Sequence, residues 1–275
     1  MAFICINNGY ANTKVKIGKE EHIFKSATRE AQLEYDNIVE VNGKSLVVGE
    51  GEVDVDLNKS SSETQIACIK HALQLSGLKE TNVITAMPVN SYLNKQAREE
   101  YKQMFKSIQG VKEVVVYMEG VAATLCDYGW YKNKLVCLLD IGGLTINAML
   151  LDDGELVPNT AFSIQLGTII LDNRIRKALE QNSLCNVPSY QIKYLTQSHE
   201  AMDVLRDYVK EIKQSLKKAN YPTDVQYRLT GGGSLQYQVF LKAQFNAYLH
   251  QDAIWENVRG LDVVGRMLYE KDLIY

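Results

Sequence analysis

One stretch near the middle of the chain, residues 138–155, constrains its fold more than any other. Two apolar segments flank a short turn that contains Asp140 and two glycines, and an Asp-Gly turn follows the second segment. This pattern predicts a buried strand, a tight turn, a second strand and a hairpin. The glycines would let backbone N–H groups approach a phosphate, and Asp140 could lie beside a metal ion. The alternative is an ordinary hairpin, because Asp-Gly turns are common in sheets.

Composition narrows the class of protein. The 275 residues are 46% hydrophobic and 23% charged, which is ordinary for a globular protein. The net charge of −3 gives no excess of positive charge for direct DNA binding. Five cysteines without CxxC spacing argue against disulfides and a zinc site, and favour a reducing compartment. We find no signal peptide and no apolar run of membrane-spanning length. We therefore expect a soluble cytoplasmic protein, with no membrane association and no direct DNA binding.

Strand and helix patterns alternate along the chain. Three strands are predicted in residues 2–26, and a small polar segment with one hairpin at residues 27–60. Helices and strands then alternate up to a final helix at Glu256–Tyr269, which Gly260 is expected to interrupt. This order predicts an α/β architecture with mixed sheets.

The central motif has a partial repeat near the N-terminus. When Asn7 is placed over Asp140, Gly9 falls on Gly142 and Asn12 falls on Thr145. Two such hairpins in two halves suggest a duplicated fold with a cleft that could hold a triphosphate from both sides. Two unrelated hairpins in one mixed sheet are the alternative.

A glycine turn, Thr230–Ser234, supplies a third element. Glycines between a buried strand and a helix can lie against a flat or anionic group. The chain has no GxxxxGK[ST] loop, and no GxGxxG follows any predicted strand, so a nucleotide site here would be of another type.

Together these segments resemble a known superfamily. Residues 7–14, 140–145 and 229–233 are similar to the two phosphate motifs and the adenosine motif of the actin, sugar-kinase and DnaK superfamily. Residues 118–123 and 257–265 resemble its two interdomain connections. Within the superfamily, the chain is most similar to the bacterial actin-like plasmid-segregation proteins of the ParM type.

The resemblance implies an actin-like, ribonuclease H-like duplicated fold of two domains. Domain I would comprise residues 1–135 and 259–275, with a small inserted subdomain IB at about 27–60, and domain II residues 136–258. Asp140 and Gly231 are only 91 positions apart, and the interval is mostly helical in pattern. We therefore expect subdomain IIB to be absent or reduced to helices.

The resemblance also implies site residues. Asp140 would hold Mg²⁺ through water molecules, because Mg²⁺ releases its water reluctantly, and Glu119 would orient or deprotonate the attacking water. For Glu119 the alternative is a capping carboxylate at a helix start. Lys14 would reach the β- and γ-phosphates, and Lys213 the ribose or base. The nucleotide-binding set is Asn8, Gly9, Tyr10, Ala11, Asn12, Lys14, Gly142, Gly143, Leu144, Thr145, Lys213, Gly231, Gly232 and Gly233.

Asn7 departs from the family pattern, which usually has Asp at this position. Asn keeps one oxygen acceptor but removes a negative charge, so Asn7 would be a weak metal ligand at most. Binding of Mg²⁺ should then depend more heavily on Asp140.

The function that the resemblance implies is an ATPase, tolerant of GTP, that self-associates into filaments. A DNA-binding adaptor protein at a plasmid centromere would couple these filaments to plasmid DNA. One alternative is a small-molecule kinase of the same superfamily, for which only Asp172 and Asp127 are candidate general bases. Another is a nucleotide-binding filament scaffold without hydrolysis, suggested by Asn7.

Overall fold

The computed structural model describes residues 2–32, 37–53, 61–183, 186–188 and 191–270. Parts of predicted subdomain IB (residues 33–36 and 54–60) and the end of predicted domain I (residues 271–275) lie outside the described residues. In chain order the elements are β1 (Phe3–Asn8), β2 (Asn12–Ile17), β3 (Glu20–Lys25), β4 (Ala27–Glu30), β5 (Ile38–Val41), β6 (Lys44–Val48), β7 (Glu52–Val53), α1 (Glu63–Ser76), β8 (Thr81–Met87), α2 (Val89–Leu93), α3 (Lys95–Lys106), β9 (Val111–Met118), α4 (Val121–Thr124), α5 (Tyr128–Tyr131), β10 (Leu135–Ile141), β11 (Ile146–Asp152), β12 (Glu155–Leu156), β13 (Phe162–Ile164), α6 (Thr168–Ser183), α7 (Ile192–Leu195), α8 (His199–Lys218), β14 (Gln226–Thr230), α9 (Gly232–Gln236), α10 (Gln238–Phe245), β15 (Tyr248–Leu249) and α11 (Glu256–Tyr269).

The elements divide into two compact units. Unit 1 contains the residues up to Tyr128 and those from Trp255 onward, and unit 2 is Gly129–Ile254. The assignment of these parts to actin-like domains I and II, with the boundaries predicted above, stays a prediction.

Unit 1 is built on a five-stranded sheet in the order β3-β2-β1-β8-β9. Strands β1, β8 and β9 are parallel neighbours, whereas β1 and β2 form an antiparallel hairpin. Successive side chains of β1 point to opposite faces, so Ile4 and Ile6 pack in one core cluster with α1 and α3, while Cys5 packs in another with α4 and α11. Burial on both faces explains the almost continuous apolar sequence of β1.

A second, four-stranded sheet of unit 1 has the order β5-β6-β4-β7. The predicted hairpin corresponds to β5 and β6, and the structure adds β4 and β7 on its other edge. This sheet packs on α1 through Val39, Val41 and Leu46, which contact the cluster that contains Ala67 and Cys68.

The final helix α11 runs without a break through Gly260, so the predicted interruption is wrong. A Cβ at Gly260 would lie 1.7 Å from the carbonyl oxygen of Ala122 in α4. Glycine is needed here because the helix backbones of α11 and α4 approach each other closely. The same contact is fixed by the Asn257 side chain, whose Oδ1 accepts a 2.8 Å hydrogen bond from the N–H of Gly120.

Unit 2 is built on a second mixed sheet in the order β12-β11-β10-β14-β15, with β13 also paired to β11. Its main core cluster combines β10, β11 and β14 with α6, α8 and α10. The sequence predicts one helix from the glycine turn to about Leu249. In the structure α10 ends at Phe245, and Tyr248–Leu249 pairs in parallel with β14. Within the described part of the interval from β13 to β14 the structure has α6, α7 and α8 and no strand, in agreement with a subdomain IIB that is absent or reduced to helices.

None of the helices described here combines the length and the apolar character that crossing a membrane requires.

Candidate functional site

The β1–β2 turn of unit 1 brings several predicted residues together. The register pairs Asn7 with Lys14 and Asn8 with Thr13. A Cβ at Gly9 would lie 2.7 Å from the carbonyl oxygen of Asn12 and 3.7 Å from the Lys14 ammonium nitrogen. The chain thus folds tightly at Gly9, with the Lys14 ammonium beside the turn.

Buried hydroxyl groups hold this turn in place, and the sequence analysis missed them. The Ser26 hydroxyl donates to the Gly9 carbonyl at 2.6 Å, and the Ser26 N–H donates to Ala11 at 3.0 Å. The Thr13 hydroxyl donates to Asn8 Oδ1 at 2.8 Å, and the Asn8 amide donates to the Gln65 carbonyl at 3.3 Å. The Asn8 side chain therefore supports the turn from inside. Residues of this kind give no sequence signal, since isolated Ser and Thr are common along the chain.

Asn7 has an unusual environment at the end of β1. Its side chain is 5% exposed, and its buried Oδ1 has no hydrogen-bond partner within the described structure. A buried acceptor without a donor is costly. This oxygen is therefore available to a bound water molecule or cation.

The β10–β11 turn of unit 2 is held by the start of α6. The Gly142, Gly143 and Leu144 carbonyls accept hydrogen bonds of 2.8–3.0 Å from the N–H groups of residues 167–169. Gly167 permits this contact, because a Cβ there would lie 2.2 Å from the Gly143 oxygen. The first N–H groups of α6, which lack partners inside the helix, are thereby satisfied.

The same turn leaves its own N–H groups available. Among the hydrogen bonds of the described residues, none uses the N–H of Gly143, Leu144 or Thr145. Consecutive backbone N–H groups in a turn form the kind of concave site that binds anions. The carbonyls of the turn are occupied by α6 while its amides are not, which matches the requirements of a phosphate-binding turn.

Asp140 and the glycine turn meet at the ends of two neighbouring parallel strands. Asp140 on β10 is 4% exposed and lies in register with Thr230 on β14. Gly231 has φ +85° and lies so close that a Cβ would be 2.5 Å from Asp140 Oδ1. Gly233 is equally confined, with Thr168 Cγ2 at 2.5 Å from such a Cβ, whereas Gly232 has only ordinary contacts at 3.5 Å or more. Unit 2 thus brings Asp140, residues 142–145 and residues 231–233 together.

Lys213 lies elsewhere in unit 2. Its ammonium donates to the Gln244 carbonyl at 2.9 Å and lies 5.3 Å from the ring centre of Phe245, at the far end of α10 from the glycine turn. The structure does not bring Lys213 together with residues 231–233, and we leave it out of the binding set proposed below.

Glu119 follows β9 in unit 1 and is 8% exposed. Its N–H donates to the Met87 carbonyl at 2.8 Å, and Gly120, with φ +81°, then begins α4. The sequence predicts a helix from Glu119 to about Tyr128, and the structure has consecutive helical turns here: α4, a 3₁₀ turn and α5. Burial raises the pKa of the fully buried Tyr101 hydroxyl, and the negative charge of the Glu119 carboxylate raises this pKa further.

The described residues contain no cluster of three or more His, Cys, Asp or Glu side chains suited to a metal ion. Any Mg²⁺ would therefore rely on few protein ligands together with water and substrate oxygens, which is its usual mode of binding. Asp140 and Asn7 supply hard oxygen atoms and fit such a role.

The candidate kinase bases have different environments. Asp172 on α6 accepts hydrogen bonds from the Tyr237 hydroxyl and from Gln236 Nε2, the latter at 3.0 Å. Burial raises the pKa of Asp172, against the effect of these hydrogen bonds. Asp127 lies in the 3₁₀ turn that follows α4.

Comparison with known proteins identifies the fold. The family model of the N-terminal domain of actin-like proteins matches residues 6–125, which is less than half of the chain. No curated protein matches the chain.

Solved structures match over almost the whole chain. Ta0583, an archaeal actin homolog, aligns with a TM-score of 0.79 at 17% identity, covering 97% of this chain and 100% of that one. A ParM subunit from a 15-stranded filament of Clostridium botulinum aligns with a TM-score of 0.77 at 16% identity, covering 97% and 100%. MreB5 of Spiroplasma citri bound to ADP aligns with a TM-score of 0.73 at 17% identity, covering 98% and 97%. The chain therefore has an actin-like fold.

Proposed function

We propose that this chain is a bacterial actin-like ATPase that assembles into nucleotide-dependent filaments. The observation that carries this proposal is the β10–β11 turn, where three backbone N–H groups are available beside Asp140 and the glycine turn. A nucleoside triphosphate needs such donors for its phosphates, a carboxylate for its Mg²⁺ and a glycine surface for its adenosine. Unit 2 provides each of these.

The binding residues follow from the geometry of each unit. The N–H groups of Gly143, Leu144 and Thr145 would bind phosphate oxygens, while Gly142 would shape the turn through the 2.9 Å hydrogen bond from its N–H to the Thr145 carbonyl. Gly231, Gly232 and Gly233 would contact adenosine. From unit 1, Lys14 and the backbone of Asn8, Gly9, Tyr10, Ala11 and Asn12 would bind the β- and γ-phosphates. The buried Thr13 and Ser26 hydroxyls support this turn without contacting the nucleotide.

Asp140 would hold Mg²⁺ through water, with the buried Asn7 oxygen as a weaker second acceptor. The metal would neutralise charge on the phosphates when bound. Glu119 would orient or deprotonate the attacking water, as a positioned carboxylate can.

Structures of similar fold support the nucleotide and filament parts of the proposal. MreB5 is described with ADP bound, and ParM as a filament. By analogy, filaments of this chain would segregate a low-copy plasmid in the cytoplasm through a DNA-bound adaptor protein. We also propose that the chain is a member of the AlfA group of these proteins, which it resembles in length and in its opening residues.

High-speed pelleting with and without ATP–Mg²⁺, with phosphate release measured in parallel, tests the function. We expect ATP-dependent pelleting accompanied by phosphate release. Protein that remains soluble and turns over only with an added small-molecule acceptor would instead indicate a kinase. Pelleting without phosphate release would indicate a scaffold.

The kinase alternative has less support. Asp172 accepts hydrogen bonds from Tyr237 and Gln236, which occupy part of its carboxylate and oppose its protonation. The scaffold alternative rests on Asn7 alone.

A further inference from the structure

An aromatic pocket lies at the start of β14 in unit 2. Its volume is about 460 Å³, and its lining includes Trp130, Tyr227, Phe245 and Tyr248. Trp130 and Tyr248 stack with ring centres 4.9 Å apart, and Tyr227 and Phe245 are 5.2 Å apart. The pocket belongs to the opposite end of β14 from the glycine turn.

A buried arginine supports the rings of this pocket. Arg228 is completely buried, and its guanidinium lies 4.8 Å from the ring centres of Trp130 and Tyr131 and 5.1 Å from that of Tyr248. Stacking on a planar cation fixes the orientation of aromatic rings. The pocket is therefore preformed, as sites that accept an aromatic anchor from a partner usually are.

The same unit exposes an aromatic side chain of matching character. Tyr194 on α7 is 72% exposed, more than any other aromatic side chain among the described residues. Tyrosine is enriched in interface cores because it combines a large apolar ring with a polar tip.

Tyr194 and the pocket lie at opposite ends of α8. Tyr194 precedes the first residue of α8, His199, by five positions, whereas Lys213 near the other end contacts Gln244 and Phe245 beside the pocket. The 14 residues between His199 and Lys213 span about 21 Å at 1.5 Å per residue. A contact from Tyr194 of one copy to the pocket of another would thus join two different surfaces, and such a contact repeats without closing unless the rotation forms a ring.

The two ends of α8 also carry opposite charge. Its first half has three acidic residues and one basic residue, a net charge of −2, and its second half has four basic residues and one acidic residue, a net charge of +3. The acidic residues are Glu200, Asp203 and Asp207, and the basic ones are Lys210, Lys213, Lys217 and Lys218. Lys210, Lys213 and Lys217 line a groove together with Gln244, the neighbour in sequence of Phe245 in the pocket. The tyrosine end is therefore acidic and the pocket end is basic.

We propose that the pocket receives Tyr194 of a second copy of this chain, with the acidic start of α8 in one copy against the basic end of α8 in the next. This inference rests on the proposed assembly into filaments and names the surfaces that carry one of its contacts.

Charge reversal on the full-length chain tests the electrostatic part. Glu200→Lys with Asp203→Lys reverses the acidic end, and Lys217→Glu with Lys218→Glu reverses the basic end. We expect each pair alone to raise the critical concentration for ATP-dependent pelleting at least tenfold. We expect the chain with all four substitutions to recover most of the loss, because opposite charges would face each other again. Failure of both pairs to weaken assembly, or failure of the combined chain to recover, would overturn the proposal.

Recovery of assembly in the chain with all four substitutions also distinguishes loss of this contact from loss of α8 stability. Each pair places an unfavourable charge at one end of the helix dipole, so both costs are present in the combined chain. If loss of helix stability caused the defect, the combined chain would assemble worst.

Tyr194→Ala tests the anchor, with Leu93→Ala as the matched control, because Leu93 is 59% exposed in unit 1. We expect at least a tenfold rise in critical concentration for Tyr194→Ala and less than a twofold change for Leu93→Ala. Nucleotide binding, measured with a fluorescent ATP analogue, should be unchanged in both. Wild-type assembly with equal behaviour of the two variants would reject the contact while leaving the proposed function intact, whereas wild-type protein that never pellets would reject filament formation itself.

Discussion

Asn7 and Asp140 end equivalent strands of the two units but differ in charge. The Asn7 oxygen is buried and has no hydrogen-bond partner among the described residues, while the Asp140 carboxylate lies against Gly231. A carboxylate attracts Mg²⁺ more strongly than an amide oxygen does, because it carries the negative charge. Asp140 should therefore bear most of the metal dependence.

Substitutions at these two positions should have unequal effects. We expect Asp140→Ala to lower the rate of phosphate release by about 10- to 100-fold, the range typical of residues that orient a metal's ligands. Asn7→Asp should lower the Mg²⁺ concentration that gives half-maximal release. A magnesium titration of phosphate release by both variants measures this, and small equal effects would contradict the assigned roles.

Lys213 shows what the local sequence leaves undecided at the scale of a residue. Its position on the helix before β14 was compatible with a ribose contact, but the direction of α8 carries it to Gln244 and Phe245. Sequence spacing defines which element a residue occupies, whereas the packing of that element decides what the side chain reaches.

At the scale of the elements, α11 contains a glycine that allows close helix packing and does not interrupt the helix. Glycine lowers helix propensity, so Gly260 was expected to break the helix. In the structure α11 is held against α4 and the central sheet by Val258, Leu261 and Val264. This burial outweighs the lower propensity, and the missing side chain admits the Ala122 carbonyl.

Adding a methyl group at Gly260 should separate these two effects. Gly260→Ala should lower the free energy of unfolding by about 1–3 kcal/mol or more, because the new Cβ would overlap the Ala122 carbonyl despite better helix propensity. Gly129→Ala in α5, where no atom lies within 4 Å of the new Cβ, should change it by less than about 1 kcal/mol. Urea denaturation followed by circular dichroism compares them; a neutral or stabilising Gly260→Ala would show that α11 can move away from α4.

At the scale of the whole molecule, the helical interval between β13 and β14 bears on which nucleotides the protein can use. Its described residues form α6, α7 and α8, without the paired strands expected of subdomain IIB. One wall of the base pocket would then be missing, which should relax selectivity between adenine and guanine.

Assembly with different nucleotides tests this expectation. Pelleting at matched concentrations of ATP and GTP should give critical concentrations within about a factor of ten. With this wall missing, the two bases would differ by one or two contacts of about 1 kcal/mol each, and about 1.4 kcal/mol corresponds to a factor of ten. Assembly with ATP and none with GTP would mean that the base is enclosed by other residues.

The local sequence was sufficient for the parts of the molecule that depend on neighbouring residues. The hairpins at Gly9 and Gly142, the glycine turn at 231–233 and the order of strands and helices follow from apolar periodicity and turn chemistry, which act over a few positions. Helix α1 ends at Gly77 in a left-handed conformation, which is the local signal that glycine usually gives at the end of a helix.

Contacts between distant residues were decided only by the tertiary structure. These include the Ser26 hydroxyl on the Gly9 carbonyl, the capture of the β10–β11 carbonyls by α6, the close approach of Gly260 to Ala122, and the rings around Arg228. Each joins positions that are 17 to 138 residues apart or depends on the direction in which an element packs. Local propensity carries no information about such pairs, because their energy exists only after the chain has folded.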